Sequence, residues 1–181
     1  MFSISALWSA VNRRAAALMN RFPPMDQRPT IVAGHIELGR LGEAWAIKYL
    51  LRAGYRIVGA NFVLPVGRNT RGVIVKAEID IVAYDGPMLC FIEVKTRASD
   101  WFAPPEVNVD LRKQRQIARA ARAYCRMFDL TDSPYRYDVL SVILPATEGH
   151  TSAQSPTGTL LKNFWRDGKF RKRRWSDNNY Y

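Results

Sequence analysis

Acidic side chains are in short supply in this chain: 16 Asp and Glu stand against 27 Lys and Arg in 181 residues, a formal charge of +11 and a pI near 10.1. Such a balance favours polyanionic partners, either nucleic acid or an anionic membrane surface, although a solvated positive face has the same composition. Cysteine is equally sparse. Cys90 lies in an apolar strand-like run and Cys125 in a helix-like one. Two such thiols supply neither metal-ligand spacing nor a disulfide framework, which fits a reducing, cytoplasmic compartment. No apolar run approaches the ~20 residues of a membrane span, so the chain is expected to be soluble or at most peripheral, with no transmembrane segment. Internal repeats are absent as well.

The first acid after the start is Asp26, and the stretch before it, Met1 to Phe22, places Phe2, Ile4, Leu7, Trp8, Val11, Ala15 and Leu18 at roughly helical spacing. Asn12-Arg13-Arg14 interrupts the apolar side, whereas a secretory signal carries its charge ahead of the apolar stretch. An organelle transit peptide, a membrane-surface helix, a helix packed on the domain and a poorly ordered extension all share this composition. Translation starting later, at Met19 or Met25, is a further alternative. Pro23-Pro24 and Pro29 mark a linker. Residues 1–30 therefore read as an extension, 31–145 as one globular domain and 146–181 as a linker and tail.

Within the domain, Ile36 to Ala53 has an apolar helical face and a stop at Gly54. Strands are expected over Tyr55 to Val66, Val73 to Tyr84 and Met88 to Arg97, with the polar loop Gly67 to Gly72 between the first two. After Pro104-Pro105 a second helix covers Asp110 to Phe128, and Tyr135 to Leu144 forms a fourth strand. A linker rich in Ser, Thr, Gly and Pro follows from Pro145 to Thr159. The order helix, three strands, helix, strand predicts an α/β fold, a mixed sheet with helices packed on it.

Three charges interrupt the central hairpin. Side chains alternate along a strand, so Glu93 and Lys95 project from the same face, and the hairpin turn at Asp85-Gly86-Pro87 brings Asp80 within reach. Two carboxylates are hard ligands suited to Mg²⁺ or Mn²⁺, and an ion held by Asp80 and Glu93 would polarise a phosphodiester and acidify a bound water. Lys95 would orient that water or offset charge developing on phosphate. A plain cross-strand ion pair is the alternative, worth only ~0–1 kcal/mol at a surface. Glu43 lies in the first helix beside Gly42 and four residues after Gly39. Glycines there suit close approach to a backbone or ligand, while a solvent-facing glutamate near a helix start is also favoured by the macrodipole.

Gly39-Arg40-Leu41-Gly42-Glu43-Ala44, Glu78-Ile79-Asp80-Ile81-Val82-Ala83, Phe91-Ile92-Glu93-Val94-Lys95-Thr96-Arg97 and Arg136-Tyr137-Asp138-Val139 resemble, in order, the motifs of the YraN family of small bacterial proteins. That family is assigned to the restriction-endonuclease-like superfamily, together with archaeal Holliday-junction resolvases. Over about Gly34 to Leu144, the resemblance implies an αβββαβ core and metal-dependent cleavage of DNA, branched or otherwise structured. It makes Asp80 and Glu93 metal ligands, Lys95 the water-activating or phosphate-stabilising base, Glu43 an accessory acid, and the Val94 carbonyl an additional ligand. Resolvase-like relatives act as dimers, which implies a homodimer. The chain departs from the family pattern at Ala77, where glycine is usual, and in the longer Gly67 to Gly72 loop.

Nucleic acid is also suggested by the second helix. Arg112, Arg115, Arg119, Arg122 and Arg126 fall along one stripe, with Lys113 adding charge and no acid between Leu111 and Arg126. Leu111, Ile117, Ala118, Ala121, Tyr124, Cys125 and Phe128 form the adjoining apolar stripe. A row of guanidiniums suits phosphate contacts without sequence specificity, although it is also what a solvated helix face looks like. Arg40 and Arg97, inside the motifs, are expected to join it. The tail from Lys162 to Trp175 interleaves basic and aromatic residues, a mixture able to track a phosphate backbone, adsorb to anionic membrane or remain a disordered tail. A nucleic-acid-binding accessory protein that keeps the fold without turnover is the alternative to a nuclease.

Overall fold

The computed structural model describes residues 35–98, 109–145 and 155–166. The N-terminal extension, the Pro104-Pro105 break and the tail beyond Arg166 lie outside the described residues. Two helices and five strands follow one another as α1 (His35–Arg52), β1 (Arg56–Arg68), β2 (Ile74–Asp85), β3 (Met88–Arg97), α2 (Leu111–Met127), β4 (Tyr135–Ile143) and β5 (Thr157–Trp165). The first six match the order expected from the sequence, with ends displaced by one or two residues. The fold is α/β.

The strands form one mixed sheet in the order β1-β2-β3-β4-β5. β3 and β4 run parallel, Glu93 opposite Val139, joined by the crossover through α2; the other neighbours are antiparallel. Alternation along β3 divides the interior in two. Leu89 and Phe91 meet Ile117, Ala121 and Tyr124 of α2 on one face. Cys90, Ile92 and Val94 meet Ala46, Ile47 and Leu50 of α1 on the other. Each helix buries the apolar stripe that its sequence period lays out. Asp110 caps α2, its side chain accepting from the Lys113 N–H at 2.7 Å. The β2–β3 hairpin closes between Asp85 and Met88 across Gly86-Pro87, where Gly86 takes φ +57°. Glycine reaches that left-handed conformation at little cost.

β5 is the addition the sequence reading missed. The linker expected through Thr159 ends earlier, and Thr157–Trp165 pairs antiparallel with β4, so Lys162 to Trp165 belong to the sheet rather than to a tail. Its residues are half-exposed or exposed except for the buried Trp165, which stacks on Tyr137 at 4.8 Å between ring centroids. Gly158 leaves no room for a Cβ beneath the Trp45 ring, which explains glycine inside an edge strand.

A second network of charges locks the far end of the sheet. The Arg136 Nε donates to both oxygens of the fully buried Asp138, at 2.9 and 3.0 Å, and Nη2 donates to Asp85 Oδ2 at 2.7 Å and to the Tyr55 hydroxyl at 2.9 Å. Asp138 Oδ1 also accepts the Asn163 N–H, and Lys162 reaches Asp85 at 2.9 Å. The Arg136-Tyr137-Asp138 motif thus ties β1, the hairpin turn, β4 and β5 together.

The two glycines of α1 differ in kind. A Cβ at Gly42 would overlap the Thr96 side chain at the end of β3, whereas a Cβ at Gly39 would have nothing within 4 Å. Gly42→Ala is expected to lower stability by ~1–3 kcal/mol through overpacking. Gly39→Ala is expected to raise it by up to ~1 kcal/mol, because alanine loses less backbone freedom in a helix. Urea unfolding of the two variants would show these opposite signs.

Candidate active site

Where β2 and β3 part, the acids meet. The ladder between them runs from Asp85↔Met88 to Ile81↔Ile92 and stops; beyond it β2 stays with β1, and β3 stays with β4. Asp80 and Glu93 are the first residues past that fork. There the Asp80 Oδ2 accepts the Val94 N–H at 2.8 Å, replacing a ladder bond with a side-chain one. Glu93 is 2 % exposed and Asp80 9 %, so both carboxylates sit in the wall of the fork rather than on its surface.

Two ammonium groups face them. Lys95 Nζ lies 2.9 Å from Glu93 Oε1 and keeps about a third of its side chain in solvent. Lys113, from the first turn of α2, lies 3.0 Å from Glu93 Oε2 and 3.7 Å from Asp80 Oδ1. Glu93 Oε2 is buried and has no hydrogen-bond partner of proper geometry; the Lys113 charge beside it is an ion-pair contact. Burial, and then the Glu93 charge, push the Asp80 carboxyl up to about 7, against the opposing pull of Lys113 and the Val94 N–H. The two carboxylates hold Lys113 above the ordinary lysine value although burial acts the other way.

Lys113, expected among the phosphate-binding cations, points into the acid pair, about 100° around the helix from Arg112. Arg112, Arg115, Arg119 and Arg126 are exposed as the stripe requires, and Arg122 is half-buried. Leu111, assigned to the apolar stripe, is 50 % exposed at the helix start. Arg40 is exposed and donates to Glu37 on its own helix at 2.9 and 3.0 Å, while Arg97 stands half-buried at the end of β3.

Glu43 stands apart from the pair. It is half-buried on α1, hydrogen-bonded to the Asn61 side chain, and raised above the usual carboxylate value first by burial and further by Glu78 and Glu93. Asn61 takes φ +53° opposite the fork, a conformation asparagine tolerates better than most residues. Among the described residues no three His, Cys, Asp or Glu side chains gather closely enough to hold one ion. Glu43 is therefore near the site without joining Asp80 and Glu93 as a third carboxylate around a shared ion.

Asp80 also sets a pH dependence. Its proton is held up to about 7 in the folded chain but leaves near 3.8 in an unfolded one, so between those values the folded state carries the extra proton. This contribution to stability is full at acid pH and declines as pH rises, by at most ~1.4 kcal/mol per unit. Asp80→Asn is expected to flatten the decline between about pH 4 and about pH 7 in chelator, read by urea unfolding. An unchanged slope would locate the titration elsewhere.

The profile of the uncharacterised protein family UPF0102 matches residues 42–142, from the Gly42 contact to the end of β4. The chain belongs to this family. It is the family whose motifs the sequence resembles under the name YraN. The UPF0102 protein of Chlorobium limicola is 36% identical over 130 residues, covering 72% of this chain and 93% of that one. Those of Solibacter usitatus and Chlorobaculum tepidum are 42% and 44% identical over 109 and 106 residues, covering 60% and 59% of this chain and 76% and 74% of theirs. The UPF0102 match thus runs from the middle of α1 through β1, β2, β3 and α2 into β4, and ends before β5. Among the described residues no helix is long and apolar enough to cross a membrane.

Proposed function

We propose that the fork is the active site of an endonuclease that hydrolyses DNA phosphodiesters with Mg²⁺ or Mn²⁺, acting on duplex, branched or otherwise structured DNA. The observation that carries this reading is the pair of buried carboxylates, Asp80 and Glu93, held side by side where the strands part. They fit a divalent ion: both are hard oxygen donors, and the buried Glu93 Oε2 has no partner but the Lys113 ammonium at 3.0 Å, a charge that an ion could replace. Asp80, Glu93 and the Val94 carbonyl are the groups to hold the ion, with Glu43 acting through water. Once bound, it would polarise the scissile phosphate and lower the pKa of water.

The chain's own groups do the rest. Lys95, partly in solvent and fixed by Glu93, is placed to donate to the attacking water or to a non-bridging phosphate oxygen. From Lys113 to Arg126 the helix advances ~20 Å, so the arginines of α2 lead away from the fork along a path a duplex backbone would follow. A homodimer would present two such sites to one junction, and cytoplasmic DNA is the corresponding substrate pool.

The charge balance favours a second reading. Two lysines neutralise two carboxylates without an ion, which suits an accessory protein that binds nucleic acid and does not turn over. Labelled single-stranded, duplex, flap and four-way-junction DNA, incubated with Mg²⁺ or Mn²⁺, separates the two. Cleavage by the wild type that disappears in Asp80→Asn and Glu93→Gln supports the nuclease; binding of all four without cleavage supports the accessory protein.

A further inference from the structure

The β1–β2 hairpin continues well past the body of the sheet. β2 leaves β3 at Ile81, yet it stays paired with β1 from Ile81 to Ile74, ending in the turn Asn69 to Gly72. One face of this arm is covered. Phe62, Leu64, Val66, Ala77 and Ile79 pack into the cluster beneath α2. The other face is bare: Val63 and Ile74 are 53 % and 51 % exposed, with Pro65 and Lys76 exposed between them, and Val73, 59 % exposed, stands beside Ile74 at the turn end. Three of the six large exposed hydrophobics among the described residues therefore lie on one ribbon. Lone exposed apolar residues are ordinary, but a cluster on a projecting element marks a contact surface.

Charge selects the partner. Residues 61–77 contain Arg68, Arg71 and Lys76 and no Asp or Glu, the first acid being Glu78 at the base of the arm. The tip is held in shape by its own bonds: Arg68 Nη1 donates to the Gly72 carbonyl at 2.7 Å, and Asn69 Oδ1 accepts the N–H groups of Arg71 and Val73 at 3.0 and 2.9 Å. A rigid two-stranded ribbon, basic and tipped with branched apolar side chains, has the width and chemistry of an element that enters the major groove of a duplex.

We propose that this arm lies in the major groove of the duplex presented to the fork, Arg71 and Lys76 on phosphates and Val73 and Ile74 against base edges. The proposal rests on the nucleic-acid reading of the fork and adds a second contact to it, on the opposite side from the α2 stripe. Six residues separate Ile74 from Asp80, which spans ~20 Å of strand. At 3.4 Å per base pair that reaches ~6 base pairs from the scissile phosphate. The arm thus makes the enzyme favour substrates with a duplex flank of at least that length.

Binding to a labelled 30-base-pair duplex and to a single strand, measured in chelator so that no cleavage occurs, tests this with full-length protein. Arg71→Ala/Lys76→Ala is expected to reduce the slope of log affinity against log salt by ~2. Val73→Ser/Ile74→Ser is expected to weaken duplex binding ~10-fold with the slope unchanged, and neither change should alter single-strand binding by as much. Arg119→Ala/Arg126→Ala, on α2, is the comparison. If the α2 variant loses affinity and both arm variants bind the duplex like wild type, the arm proposal is overturned while the nucleic-acid reading stands. If the wild type binds neither DNA, that reading itself fails and the arm proposal with it. Arm variants that change sedimentation from dimer to monomer while each subunit binds DNA as before would assign the surface to a second copy of the chain, again overturning it.

Discussion

Arg136→Leu is expected to destabilise the protein by ~3–5 kcal/mol, the largest loss of any single substitution considered. Asp138 is fully buried and accepts two of its three hydrogen bonds from Arg136; the third comes from the Asn163 N–H. Removing the guanidinium leaves a carboxylate in the sheet interior with one backbone donor. The same substitution also strips Tyr55, the residue before β1, of its bond to β4. Against a typical total of ~5–15 kcal/mol, a loss of that size unfolds a large share of the molecules on warming. Arg136→Leu/Asp138→Leu should recover part of it, since an apolar pair avoids the stranded charge. Urea unfolding of the three proteins measures this. A single substitution costing under ~1 kcal/mol would mean that Lys162 and solvent replace Arg136, and that the motif is not a lock.

Lys113→Met should act at the other end of the sheet, with a loss that a divalent ion offsets. In the metal-free protein, removing the ammonium leaves Asp80 and Glu93 side by side with only Lys95 opposing them, and stability is expected to fall by ~2 kcal/mol. That figure is reduced from the fully buried case because a third of the Lys113 side chain meets solvent. Adding Mn²⁺ should restore what was lost. On the proposed reading the ion no longer competes with an ammonium for the same oxygens, so its affinity should rise ~10-fold, readable by calorimetry without any activity assay. Unchanged affinity would show that Lys113 and the ion occupy different places. Cleavage by the variant is a separate question, since Lys113, once displaced, is free to meet a phosphate.

The hairpin and its acids were legible because strand alternation is strict. Glu93 and Lys95 had to share a face, and Asp85-Gly86-Pro87 had to turn. Gly42 was legible as a close approach, and the group it meets is the Thr96 side chain. Lys113 was not, because a basic residue beside a basic stripe looks like part of it; the way α2 packs on the sheet turns it toward the acids. A usable signal did exist: Asp110 caps the helix and Gln114 and Ile117 are buried, which places position 113 near the buried side. β5 was hidden by its own composition. Its apolar residues fall in adjacent pairs, Leu160-Leu161 and Phe164-Trp165, so the strand carries little apolar alternation, and its place is set by β4 and Trp45. Glu43 showed as an acid on a helix, but its distance from the pair depends on how α1 crosses the sheet, which periodicity does not encode.

Single-turnover cleavage of the preferred DNA, followed across a Mn²⁺ titration in wild type and in Asp80→Asn, tests the central claim most directly. The account predicts no cleavage in chelator, a rate that rises and saturates with the ion in the wild type, and a rate at least ~100-fold lower in Asp80→Asn at saturating DNA. Cleavage that proceeds without a divalent ion, or that survives Asp80→Asn unchanged, would contradict it.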